Sequence, residues 1–148
     1  MKKSIGLLFA SLLLINCSEK TSKKSEADLK NEIIKTEKEF ENCCKMKGIA
    51  NAFYLFADSS AVIKLANDSL IKGKDAIKRH FEKSVSKNTK VTWDADFIEV
   101  SKDGSLAYSY GKYAWIVTDS LGNKKDFEGV FHTVWKRQKD DSWKYVWD

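Results

Sequence analysis

The feature that most constrains the fold is a series of four β-prone segments that fill the chain from Val91 onwards. Short polar turns separate the segments, so consecutive ones should pair as antiparallel neighbours. Three of them have ten or more residues, and strands of such length usually bend; Gly111 and Gly129 are the candidate positions. The predicted strands span residues 91–100, 106–118, 127–137 and 143–147. This pattern predicts a strongly curved antiparallel sheet.

Ahead of this sheet, apolar residues recur with helical spacing. Leu29, Ile33, Phe40 and Cys44 form one stripe among Glu and Lys residues, and Gly48 is a natural stop. The predicted helices span residues 27–47, 49–56 and 74–84, with a turn at 57–60 and a hairpin of segments 61–65 and 69–71 between the last two. Helices followed by consecutive strands indicate an α+β fold with three N-terminal helices packed on one face of the sheet.

The start of the chain has the pattern of an export signal. A basic start at residues 1–3 precedes an apolar run at 5–15, which is too short for a membrane-spanning helix of ~20 residues. The segment LINC at 14–17 resembles a bacterial lipobox, although Asn16 departs from the small residue that the motif prefers. The predicted organisation is a signal peptide (1–16), a lipidated Cys17 with a polar tether (17–26) and one domain (27–148).

This interpretation predicts an exported protein, anchored by lipid to a bacterial membrane and facing the periplasm or the cell surface. A plain signal peptide or a short anchor is the alternative. Loss of Lys2 and Lys3 on cleavage leaves 26 − 2 = 24 basic residues against 21 acidic ones, a net charge of +3. Because Lys is interleaved with Asp and Glu, no basic face is expected, which argues against a nucleic-acid partner.

The residue pattern indicates no cofactor and no metal. There is no phosphate-binding glycine loop, no nucleotide fingerprint and no His or Cys cluster with ligand spacing. Three cysteines are too few for a disulfide framework.

Several short motifs, in order and spacing, resemble one superfamily. They are LFAD (55–58), IKGKDAI (71–77), SLAY (105–108) with GKY (111–113), VWKRQ (134–138) and WKYV (143–146). Together they resemble the nuclear transport factor 2-like superfamily, which includes ketosteroid isomerase and SnoaL-like cyclases. Within it, the chain is most similar to bacterial secreted domains related to the association domain of calmodulin-dependent kinase. The resemblance implies a cone-shaped fold and, in many members, dimers formed through the sheet.

Carried over by these motifs, the catalytic positions of ketosteroid isomerase fall on Phe40, Leu65 and His132. Phe40 cannot donate a hydrogen bond and Leu65 cannot accept a proton. A register shift of one residue, to Lys64 or Ala66, restores no carboxylate. The resemblance therefore argues against steroid-isomerase chemistry.

His132 is the candidate general base, because an imidazole changes charge near neutral pH. A sheet histidine bonded to a neighbour is the alternative. Asp94 and Asp96, two residues apart on a predicted strand, could form a carboxylate pair, although such a pair more often marks a hydrated strand face.

Aromatic residues occupy both faces of the predicted sheet, and solvent cannot cover both. One face is expected to line an apolar pocket, and the other to pack on a second copy or on the protein's own core. The predicted pocket residues are Phe40, Phe53, Leu65, Trp93, Tyr108, Tyr110, Tyr113, Trp115 and His132.

Three functions remain open at this stage. The first is a lipid-anchored domain that binds a small, largely apolar ligand in the cone. The second is an isomerase, cyclase or dehydratase with His132 as its base. The third is a dimeric interaction module whose cone is filled by its own side chains, which would leave a cavity well below ~300 Å³.

Overall fold

A computed structural model describes residues 24–119 and 121–148. The predicted signal peptide and Cys17 lie outside these residues. The helices are α1 (Glu26–Lys47), α2 (Ile49–Phe56) and α3 (Lys74–Ser84), within one residue of the predicted bounds. Ser25 and Asp28 form a reciprocal capping box at the start of α1, which satisfies two backbone donors there. None of the described helices is long and apolar enough to cross a membrane.

The part of the chain that the structure describes contains six strands, which form one sheet. They are β1 (Ala57–Lys64), β2 (Leu70–Lys72), β3 (Lys90–Val100), β4 (Leu106–Thr118), β5 (Lys124–Arg137) and β6 (Trp143–Trp147), in the spatial order β2-β1-β6-β5-β4-β3. The sheet is curved and open, and the helices cover its inner face. The predicted antiparallel meander of β3 to β6 is confirmed, and β1 joins it through a parallel pair with β6. Residues 57–60, predicted as a turn, are the first half of β1.

A β-bulge at Asp96 bends the β3–β4 pair. Ala95 pairs with Gly111 and Phe97 with Tyr110, so one residue of β3 has no partner. The strand approaches Gly111 so closely that a Cβ there would lie 1.9 Å from the Asp94 carbonyl oxygen. Gly111 is therefore required at this bend, as the sequence predicted.

A second bulge, at Val146 in β6, changes which residues face inwards. Tyr145 pairs with buried Trp135, whereas Trp147 pairs with Val134 on the other face. Because a bulge shifts the alternation by one residue, Asp148 faces the helices instead of solvent. The Asp148 backbone is held on β1 by its N–H bond to the Val62 carbonyl (3.0 Å) and by the Lys64 N–H bond to its carbonyl (2.9 Å).

The core lies between the helices and the inner face, with Phe40 of α1 at its centre. The Phe40 ring lies 4.9 Å from Phe53 and Phe56 and 5.0 Å from Trp93 between ring centroids. Such aromatic contacts add to the free energy of burying each ring. They fix α1 and α2 against β3.

Candidate functional site

An open cavity of about 430 Å³ lies between the helices and the inner face of the sheet. Its wall includes aromatic and aliphatic side chains from every helix and strand except β2, together with Leu65 and Ala66 of the β1–β2 connection. The lining residues that carry the argument below are Glu37, Phe81, Tyr113, Phe131, Thr133 and Asp148. A volume of this size is in the range of ligand sites, ~300–1,000 Å³.

Most of the predicted pocket residues lie in this wall. They are Phe40, Phe53, Leu65, Trp93, Tyr113 and Trp115. Phe40 and Leu65, which stand at the isomerase positions, both face the cavity and supply only apolar surface there. The Tyr113 ring lies across Gly129, where a Cβ would be 2.6 Å from the Tyr113 hydroxyl oxygen. Gly129 therefore leaves room for the Tyr113 ring.

Tyr108 and Tyr110 are not part of the cavity, contrary to the prediction. Their partners on β3 and β5 alternate with the buried inner-face pairs, and the two rings are 38% and 40% exposed. The bulge at Asp96 brings Phe97 to the same outer face, where its ring stacks on Tyr110 at 5.2 Å. Phe97, Tyr108, Tyr110 and His132 form the outer aromatic patch.

His132 belongs to this patch because it pairs with Tyr110. Its side chain is exposed and its ring lies 5.9 Å from that of Tyr108, edge to face. The chain at His132 borders the cavity, but the inward side chains there are those of Phe131 and Thr133. A general base must reach the proton that it abstracts, so the geometry does not support the catalytic role predicted for His132.

A buried carboxyl group at Glu37 is the main polar feature of the wall that the sequence did not reveal. Glu37 lies on the inner stripe of α1 and is only 5% exposed. Its Oε2 accepts a bond from the Trp93 indole (2.8 Å), and its Oε1 accepts bonds from the Trp135 indole (3.1 Å) and the Ser109 hydroxyl (2.5 Å). Both carboxyl oxygens therefore have partners.

Two opposing effects act on the protonation of Glu37. Burial raises its pKa, because the charged form loses its hydration, and the donors from Ser109, Trp93 and Trp135 oppose the increase. Burial prevails, so the pKa of Glu37 lies above its ordinary value.

Asp148 is the second acid of the wall. The Thr133 hydroxyl donates to Asp148 Oδ1, whereas Oδ2 accepts no hydrogen bond from the described residues. Asp148 is half-buried, and its side chain lines the cavity. Burial raises the pKa of Asp148 to about 7; the bond from Thr133 opposes this increase and the negative charge of Glu37 adds to it.

The sequence predicted a cavity without a carboxylate, and this prediction was wrong. The signal for Glu37 was present: the gap of seven between Ile33 and Phe40 places residue 37 on the same helix face. No comparable signal existed for Asp148. Simple alternation from Tyr145 puts residue 148 on the outer face, and only the bulge at Val146 reverses this.

The expected effect of the raised pKa is a loss of stability as the pH increases. The folded protein retains a proton on Asp148 that the unfolded chain releases above pH 3.8. The stabilising contribution is complete below that pH and is lost as the pH rises through about 7. Between pH 5 and pH 8 the wild type should lose roughly 2–3 kcal/mol more unfolding free energy than Asp148→Asn, which cannot ionise.

Urea unfolding at the two pH values measures this difference. Asp126→Asn is the control, because Asp126 is exposed on β5, away from the cavity. The control should keep the wild-type pH dependence. Equal pH dependence for Asp148→Asn and the wild type would show that Asp148 has an ordinary pKa.

Comparison with known proteins relates the architecture to one fold. No protein-family model matches the chain, and no curated protein matches its sequence. Several solved structures are similar to it. A nuclear transport factor 2-like superfamily protein from Salmonella enterica has a TM-score of 0.67 at 17% identity, over 83% of this chain and 89% of that one.

Two further structures differ in their described roles. The association domain of CaMKII from C. elegans has a TM-score of 0.65 at 14% identity, over 82% of this chain and 94% of that one. A ketosteroid isomerase-like protein from Erwinia carotovora has a TM-score of 0.63 at 12% identity, over 78% and 89%. At such identities the likeness establishes the architecture and not the activity. The chain has the nuclear transport factor 2-like fold that its motifs predicted.

Proposed function

We propose that this protein is a lipid-anchored, extracytoplasmic domain that binds a small, largely apolar ligand in the cavity between helices and sheet. The observation that carries the proposal is the open cavity of about 430 Å³ with an aromatic wall. A cone filled by its own side chains would leave far less space, so the geometry disfavours the interaction module with a filled pocket.

The composition of the wall favours an apolar ligand with few polar groups. Rings of Phe40, Phe53, Phe81, Trp93 and Trp115 provide most of the contact surface. Burying apolar ligand surface against them is favourable by ~25 cal/mol per Å² before the costs of binding. The Tyr113 hydroxyl and the Asp148 carboxyl group are polar groups of the wall that could orient the ligand.

A proton-transfer enzyme is the second candidate function. The observation in its favour is Asp148, whose pKa of about 7 allows it to give or take a proton near neutral pH inside the cavity. This arrangement would give Asp148 the role that the sequence assigned to His132. The fold itself supports both candidates, since it hosts binding proteins and enzymes.

The anchor is proposed from the sequence. An apolar run before Cys17 precedes a polar segment that reaches the start of α1 at Glu26. A tether without large apolar residues cannot fold by burial and would hold the domain away from the membrane.

A homodimer through the sheet stays a prediction. The exposed outer aromatic patch supports it, because clustered exposed rings are typical of interaction surfaces. An association domain is among the proteins with a similar fold, which agrees with this use of the sheet.

Filling the cavity should abolish ligand binding without unfolding the protein. Leu65 directly follows β1, is partly buried and lines the cavity, so the larger side chain in Leu65→Trp can occupy the space of the ligand. A compound that binds the wild type, found by thermal shift and native mass spectrometry with a metabolite library, should bind this variant at least tenfold more weakly. The control is Leu70→Trp, whose site on β2 is 46% exposed and outside the cavity.

The control should bind the compound like the wild type. Two results would contradict the proposal: no compound in the library binds the wild type, or the compounds that bind do so equally well to Leu65→Trp.

Lipid attachment should depend on one cysteine. When the full chain is expressed in a bacterium supplied with an alkyne-tagged fatty acid, the protein should carry the label, and Cys17→Ser should abolish it. Cys43→Ser is the control and should keep the label, because Cys43 lies in α1 within the folded domain. Labelling of Cys17→Ser, or none of the wild type, would contradict the anchor.

A further inference from the structure

We infer that the cavity selects an organic cation: an apolar body, such as an aromatic or alkyl group, that carries one ammonium group held by Asp148. The inference rests on the proposed function, since it presupposes that the cavity takes a ligand. It adds the charge of that ligand, which the fold alone does not indicate.

The charges around the cavity are the first reason. Two acidic groups, Glu37 of α1 and Asp148, line it, and the negative charge of Glu37 disfavours ionisation of Asp148. Among the described residues that line the cavity, Lys64 is the only lysine or arginine. Its ammonium group bonds to Asp68 and its side chain is 48% exposed, so Lys64 does not neutralise the acids inside.

The hydrogen-bond geometry distinguishes the roles of the two acids. Glu37 already accepts three bonds, from Trp93, Trp135 and Ser109, so both its oxygens are occupied by the protein. Asp148 has a single donor, Thr133, and its Oδ2 has none among the described residues. An ammonium group is a strong donor that would satisfy this oxygen and compensate its charge.

The aromatic wall favours the same ligand class. The faces of aromatic rings carry negative electrostatic potential, so they attract a cation at short range in addition to the apolar body. Trp gives the strongest such attraction, and Trp93 and Trp115 both line the cavity. An anionic ligand would instead meet two acidic groups.

Binding of a cation should be coupled to the ionisation of Asp148. The titratable groups that face it are Glu37 and Cys44 of α1, Lys64 of β1, Tyr113 of β4 and Tyr145 of β6, whereas the His132 side chain of β5 points to the outer face. Burial raises the pKa of Cys44 and of Tyr145 well above its ordinary value, so both stay neutral near pH 7. The ammonium group prefers ionised Asp148, so cation affinity should rise with pH up to about pH 7.

Three indole probes that differ only in charge test this inference: tryptamine (cation), tryptophol (neutral) and indole-3-propionate (anion). Their dissociation constants are measured by calorimetry on the full folded domain at pH 6 and pH 8. We expect tryptamine to bind at least tenfold more tightly than tryptophol at pH 8, and indole-3-propionate to bind most weakly. We also expect the tryptamine affinity to fall severalfold at pH 6.

Asp148→Asn should remove the preference for the cation. It should weaken the affinity for tryptamine at least tenfold and change the affinity for tryptophol less than twofold. The control, Asp126→Asn, removes an exposed acid outside the cavity and should leave all three constants unchanged. If tryptophol or indole-3-propionate binds as tightly as tryptamine, the cation inference is wrong and the ligand-binding function stands. If tryptamine does not bind the wild type, the inference is also wrong, and binding of library compounds then decides the proposed function separately.

Discussion

The structure depends on one buried carboxyl group. Glu37 accepts hydrogen bonds from the indoles of Trp93 on β3 and Trp135 on β5, and from the hydroxyl of Ser109 on β4. One side chain of α1 is thereby joined to three neighbouring strands. Since unpaired buried donors are costly, any movement of α1 away from the sheet would break several bonds at once. This cluster fixes the distance between α1 and the sheet. It thereby also fixes the part of the cavity wall that α1 forms.

The two bulges have an equally direct effect on the site. At Asp96 the bulge bends β3 around Gly111 and moves Phe97 outwards, which separates the outer aromatic patch from the cavity. At Val146 the bulge turns Asp148 inwards, next to Thr133. A bulge changes the face of every residue beyond it, so two extra residues decide which aromatic and acidic side chains meet a ligand.

The sequence predicted the elements much better than the site. Helix α3 and strands β4 and β6 have the predicted bounds, because helical stripes and turn chemistry are local signals. Tyr108 and Tyr110 were wrongly placed in the pocket because their strand has alternating faces, and the residues alone do not show which face the helices cover. Asp148 was missed since its orientation depends on a bulge, which depends in turn on pairing with distant strands.

The central claim is that two acids with raised pKa values face an aromatic cavity, in a position where the sequence predicts only apolar groups. The most direct test is an NMR titration of the side-chain carboxyl carbons of Glu37 and Asp148 in the ligand-free protein. The account predicts that both titrate above their ordinary values, with Asp148 near pH 7. Titration of both groups near pH 4, as for exposed carboxyl groups, would contradict it.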